Sequence, residues 1–232
     1  MISPQLNWQP AETVEKRTMA SQLEAQIRQD IISGRLAPGT RLRLKELAQS
    51  YDVGVIPLRE ALSRLANSGF VSAADQKGFS VGRISAAEIT DITAVRLHIE
   101  CKALEDSIRQ GDVEWESRVL AAHHRLDRLA IAEGEDRVLK PEWENAHELF
   151  HQALISACNS PTLLHLCASL RDQTARYRFL SMHYDESSRD VPHEHRALMD
   201  AALAKDIEKA CQLLSHHYQS TTDSVLTHAV LA

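Results

Sequence analysis

Between Leu44 and Val81 the chain carries two short helical stripes, a tight turn between them and two alternating segments after them, and few folds accommodate that succession. Leu44, Leu47 and Ala48 mark a short helix ending near Tyr51, and Asp52-Val53-Gly54 supply the turn. Pro57 suits the first turn of the next helix, because a proline there forfeits only an amide that has no intrahelical partner. Leu58, Leu62, Leu65 and Ala66 give that helix a buried face, and Gly69 stops it. Phe70-Val71-Ser72 and Phe79-Ser80-Val81 alternate like two strands around a polar stretch. Upstream, Leu23, Ile27 and Ile31 recur every four residues on a helix from Thr18 to Ile32, which Gly34 ends before a Pro38-Gly39 turn. Together these elements predict a winged helix-turn-helix.

The remainder reads differently. Ser85-Ala86-Ala87-Glu88 fits a capping box, with the Ser oxygen accepting from the N3 amide and the Glu reaching back, so a helix is expected just after the wing. Its spacing runs through Ile89, Ile92, Leu97, Ile99, Leu104 and Ile108 to Gly111. A second helix is expected from about Asp112 to Glu133, a third from Pro141 to near Asn159, a fourth over roughly Thr162 to His183, a short fifth from Pro192 and a last one capped by Asp206. No alternating pattern and no fixed repeat follows residue 84, which predicts an antiparallel all-helical bundle. The fold class is therefore mainly α, with a winged domain over 1–84 and a helical domain over 85–232.

A net charge of −6 would argue against nucleic acid if it were evenly spread, and it is not. Residues 1–84 hold eleven Lys/Arg against eight Asp/Glu, and residues 85–232 hold fifteen against twenty-four. A basic first third on an acidic remainder suits a DNA-binding domain joined to one with another task. The opening residues lack the basic-then-apolar order of a secretory signal, and no run is long enough to span a membrane, so a cytoplasmic protein without a membrane partner is expected. The four cysteines, Cys101, Cys158, Cys167 and Cys211, form no CxxC pair and are expected to be reduced and mostly buried.

Residues 32–40 (ISGRLAPGT), 57–62 (PLREAL) and 77–81 (KGFSV) resemble, in order and spacing, the GntR-type transcription regulators. The helical remainder is similar to the FCD-type C-terminal domain of their FadR subgroup, in its shorter VanR-like branch. The resemblance implies a homodimeric repressor that binds double-stranded operator DNA through Lys45, Arg59, Lys77 and Gly78. Gly54 and Val55 stand where a Ser/Thr-Arg pair ordinarily opens the recognition helix, a departure from the pattern.

Twelve histidines is a high number, and His147 and His151, four apart on one helix, project from the same face. In the resembled domain a metal is held by an Asp four residues before a Phe-His pair, by that His, by a His opening the penultimate helix and by a His on the last. His151, His195 and His217 match three of these places, and His147 stands where the Asp would be. Four imidazoles suit a divalent ion, Zn²⁺ first and Ni²⁺ next. The resemblance further implies a small carboxylate effector, with Arg96 of an Arg-x-x-x-Glu element as a contact, for which an intrahelical pair with Glu100 is the plain alternative. Arg176, in the basic-aromatic cluster Arg176-Tyr177-Arg178, is a second candidate contact if it faces inward, while outward-facing members would only be solvated. A rival reading also stands: His147-Glu148-Leu149-Phe150-His151 satisfies HExxH, the zinc-hydrolase signature, although the HxxGxxH continuation is missing.

Overall fold

The computed structural model describes residues 18–74, 78–133, 138–184 and 189–228. The first helix, α1 (Met19–Ile32), starts where the Thr18 hydroxyl accepts from the Ser21 amide, and it buries Leu23, Ile27 and Ile31. It packs on α3 (Val55–Asn67), whose buried face is Leu58, Ala61, Leu62 and Leu65. Between them lie β1 (Arg41–Leu42) and α2 (Leu44–Ser50), and the α2–α3 turn is made at Asp52, which takes a left-handed φ of 51°. The third helix begins two residues ahead of Pro57, which takes the third place of its first turn.

The hairpin is β2 (Val71–Ala74) and β3 (Gly78–Val81), in register from Val71 with Val81 to Ala74 with Gly78. Short β1 joins its other edge, giving the antiparallel order β1-β3-β2. Two residues are too few to show alternation, so β1 has no signature in the sequence.

Eight further elements follow, beginning with α4 (Ala86–Gln110) and α5 (Val113–Asp127). A minimal hairpin of β4 (Ala132–Glu133) and β5 (Val138–Leu139) leads to α6 (Pro141–Ile155). Then come α7 (Pro161–Tyr184), α8 (Val191–Leu203) and α9 (Ile207–His228). Two expectations are corrected here. The second helix stops at Asp127 rather than Glu133, and a strand pair exists after residue 84. The apolar run Leu129-Ala130-Ile131 is compatible with either period, and the Lys140 amide bonding to the Ile131 carbonyl at 3.0 Å decides for a hairpin.

The capping box at Ser85 forms only by half. Its hydroxyl accepts from the Glu88 amide, but the Glu88 carboxylate is engaged by Arg176 and Tyr177, and the Ser85 amide donates to the Tyr177 hydroxyl at 3.2 Å instead. The bundle closes over Trp115, Phe150, Leu104 and Leu154. Gly111 is needed at the α4–α5 corner, where a Cβ would stand 2.4 Å from the Trp115 ring. Of the cysteines, Cys158 and Cys167 are buried, Cys101 and Cys211 are half-buried, and all are free.

Candidate metal and effector site

Three helices bring the four histidines together. His147 and His151 lie one turn apart on α6, His195 on the first turns of α8 and His217 in the middle of α9. Each offers a ligand atom within 4.8 Å of every other, and all four are at most 5 % exposed. The Nε2 atoms of His147 and His151 face each other at 3.2 Å. His216, next along α9, is exposed and turned away.

Hydrogen bonds select which ring nitrogens face inward. Nδ1 of His217 donates to the Glu194 carboxylate at 2.7 Å, and Nδ1 of His151 lies 3.4 Å from the Tyr218 hydroxyl, which itself donates to Glu100 at 2.7 Å. In both rings Nε2 is thereby left with a lone pair. His195 keeps a buried Nε2 with no hydrogen-bond partner. Burial, reinforced by the neighbouring imidazoles, holds His151 and His195 well below the ordinary histidine range, so both are neutral at neutral pH. Burial also opposes ionisation of Glu194, but hydrogen bonds from His217 and Arg189 outweigh it and bring that carboxyl down to about 2. Converging neutral imidazoles, an orphaned buried nitrogen and carboxylate-backed rings fit a borderline divalent ion.

His147 and His217 of the cluster line a cavity of about 40 Å³, whose other walls include Thr93, Arg96, Thr174, Arg189 and Tyr218. Arg96 does two things there. Its Nε bonds Glu100 at 2.6 Å as the helical-pair reading expects, and it also lines the cavity with Nη1 on the Thr174 hydroxyl at 2.9 Å and the guanidinium 3.9 Å from the Tyr218 ring centre. Arg171, equally buried, stands on the far side of Glu100 at 3.6 Å. Sequence reasoning missed Tyr218, Thr174, Arg189 and Glu194: Glu194 and Tyr218 adjoin His195 and His217 in sequence, but the partners that give all four a role here are brought to them only by packing.

Arg176 lies elsewhere. Its guanidinium bonds the Gly69 carbonyl in the α3–β2 turn and the Glu88 carboxylate on α4, so it joins the two parts of the molecule instead of lining the cavity. Gly82 is packed beneath it, and a Cβ there would stand 2.6 Å from Arg176 Nη1 and 2.8 Å from the Gly69 carbonyl. A second junction runs through Arg28 on α1, which reaches Asp172 on α7 at 2.6 Å and Glu148 on α6 at 3.6 Å. Glu148, the residue the hydrolase reading requires as a general base, is thus occupied by Arg28 and by the Gln152 amide at 3.2 Å.

In the first unit, Lys45 on α2 and Arg59 on α3 are exposed, and neither makes an ion pair among the described residues. Gly78 opens β3 with φ +80° and open space around it, while Lys77 lies outside the described residues.

A model of the bacterial regulatory proteins, gntR family, matches residues 19–81, and a model of the FCD domain matches residues 91–220. The chain is 38% identical over 223 residues to the HTH-type transcriptional regulator BphR of Paraburkholderia xenovorans, covering 96% of this chain and 91% of that one. It is 36% identical to the HTH-type transcriptional repressor GlaR of Escherichia coli, over 82% of this chain and 88% of the other. Among solved structures, a GntR transcriptional regulator from Rhodococcus superposes with a TM-score of 0.69 at 25% identity, covering 90% of this chain and 97% of that chain. The fold is likewise that of Escherichia coli McbR/YncC, with a TM-score of 0.71 at 22% identity over 90% of this chain and 98% of the other.

Proposed function

Because the chain belongs to the GntR family of DNA-binding transcription regulators, with an FCD domain as its second unit, we propose that it is a metal-containing repressor released from its operator by a small organic acid. It is a regulator and not an enzyme, so the HExxH reading falls. What supports the metal is the convergence of four buried histidines, whose ligand atoms all lie within 4.8 Å of one another. His147, His151, His195 and His217 would hold the ion, Zn²⁺ in the first place and Ni²⁺ in the second; when bound it supplies a fixed positive centre in a dry wall.

Arg96 is the protein's own anchor for an acid. Its guanidinium is held in place by Glu100, Thr174 and the Tyr218 ring, so binding a carboxylate costs little ordering of the side chain. In this reading residues 1–84 bind DNA through Lys45, Arg59, Lys77 and Gly78, and residues 85–232 sense the effector. The DNA-binding form is a cytoplasmic homodimer, since paired recognition helices match a two-fold-symmetric operator, and the regulated genes form a catabolic operon. Among the described residues no helix is long and apolar enough to cross a membrane.

The test is a mobility shift on the upstream intergenic DNA with a panel of small mono- and dicarboxylates. An acid that releases the wild type should need at least about tenfold more to release Arg96→Lys, because a lost charge-assisted bond is worth roughly 1.5–3 kcal/mol. Equal release of both proteins would remove Arg96 from the effector site.

A further inference from the structure

We propose that the exposed apolar start of α3 reads thymine: Ile56, with Val55 beside it, packs against the C5-methyl groups of one or two A·T pairs in each operator half-site. Ile56 is 84% exposed, the most exposed large hydrophobic among the described residues, and Val55 is 43% exposed. A single exposed apolar side chain is ordinary, but these two occupy the N-terminal turn of the second helix of a helix-turn-helix, the part that meets base edges in the major groove. Ile56 also shares a face with Arg59, three residues on, and both are exposed.

The chemistry narrows the occupant. A side chain with no donor or acceptor cannot read guanine N7 and O6, the adenine amino group or the cytosine amino group. The one apolar group the major groove displays is the thymine methyl. With Val55 at the place where the resembled pattern has arginine, the first turn of α3 has lost its donor for a guanine edge, and the next one along the face is Arg59. The α3 N-terminus is also arranged for close approach: Gly54 caps it without any side-chain hydrogen bond, leaving first-turn amides for a phosphate, and its lack of a side chain keeps the backbone near the groove wall. Arg59 then reads a base edge or a phosphate further along, while Ile56 and Val55 fill the space against the methyl groups.

The experiment starts from duplexes selected out of a random pool with the wild-type protein. Each thymine of the selected site is then replaced singly by deoxyuridine, which removes one methyl group and nothing else. At one or two positions per half-site the replacement should weaken binding about fourfold, the factor expected for one buried methyl-sized group. Ile56→Ser should bind the thymine and deoxyuridine duplexes equally at those positions, Ile56→Leu should keep a preference, and Arg59→Ala should keep the thymine effect while losing overall affinity. A selected site with no deoxyuridine-sensitive position overturns the proposal, as does an Ile56→Ser variant that still senses the methyl group. Equal DNA binding by Ile56→Ser together with a changed oligomeric state by light scattering also overturns it, and assigns this face to a second copy of the chain.

Discussion

At the scale of single residues, Tyr218 ties the two halves of the site together. Its hydroxyl serves Glu100 and His151 at once, and its ring carries the Arg96 guanidinium. Tyr218→Phe should therefore lower stability by about 1–3 kcal/mol in urea unfolding, the range for leaving a buried carboxylate oxygen unbonded, and should weaken metal retention as well. Unchanged stability would mean that Glu100 is satisfied by Arg96 and Arg171 alone. Glu148 gives the opposite case. Because it faces Arg28 and not the histidines, Glu148→Gln should keep the metal and operator binding, with a stability change of less than about 1 kcal/mol for a partly exposed pair. Peptide cleavage by the wild type that disappears in Glu148→Gln would reverse that reading. The histidines were legible in the sequence because two share a helical face and the others fall at spaced positions of a resembled pattern. Tyr218 was not, since its partners lie 118 and 67 residues away and nothing local marks the contact.

Among the elements, α7 connects the cavity to the DNA-binding half. Thr174 and Tyr177 line the cavity, while Arg176, between them in sequence, reaches the Gly69 carbonyl at the end of the recognition-helix turn. Tyr177 and Arg176 share the Glu88 carboxylate, which is why the capping box predicted at Ser85 closes only by half. The sequence offers no way to tell a carboxylate spent on its own helix cap from one spent on a helix far along the chain. The β4–β5 pair escaped notice for a related reason, as two-residue strands are set by their partner and not by any period. Gly82→Ala and Arg176→Gln should leave operator affinity within about threefold, since both residues are engaged at the junction between the units. Each should raise the acid concentration needed for release by about fivefold or more, which corresponds to losing a coupling of roughly 1 kcal/mol. Titrating operator complexes of the three proteins side by side checks this, and coincident release curves would show that the Arg176 junction carries no coupling.

Considered as a whole molecule, the chain separates its charges between two units, and the fold follows that division: a small basic winged helix packed through Arg28 and Arg176 on a larger acidic helical domain. That much was readable from helical periodicity, turn residues and charge, because each unit is built from long or well-punctuated elements. The packing angle between the units was not, since it depends on partly exposed polar junctions between residues far apart in sequence. DNA binding at this scale is electrostatic in part. Arg59→Ala and Lys77→Ala should each weaken operator affinity, and Lys77→Ala should lower the slope of log affinity against log salt by about one if that lysine neutralises a phosphate. Unchanged affinity in both variants would remove the assigned recognition helix and wing. The histidine cluster carries the metal assignment. Its most direct test is elemental analysis of protein purified without chelator or histidine-tag metal, for the wild type, His151→Ala, His195→Ala and Glu148→Gln. The expected result is about one divalent ion per chain in the wild type and in Glu148→Gln, and loss of most of it in both histidine variants. Full metal content in both histidine variants, or none in the wild type even after incubation with Zn²⁺, would contradict the account.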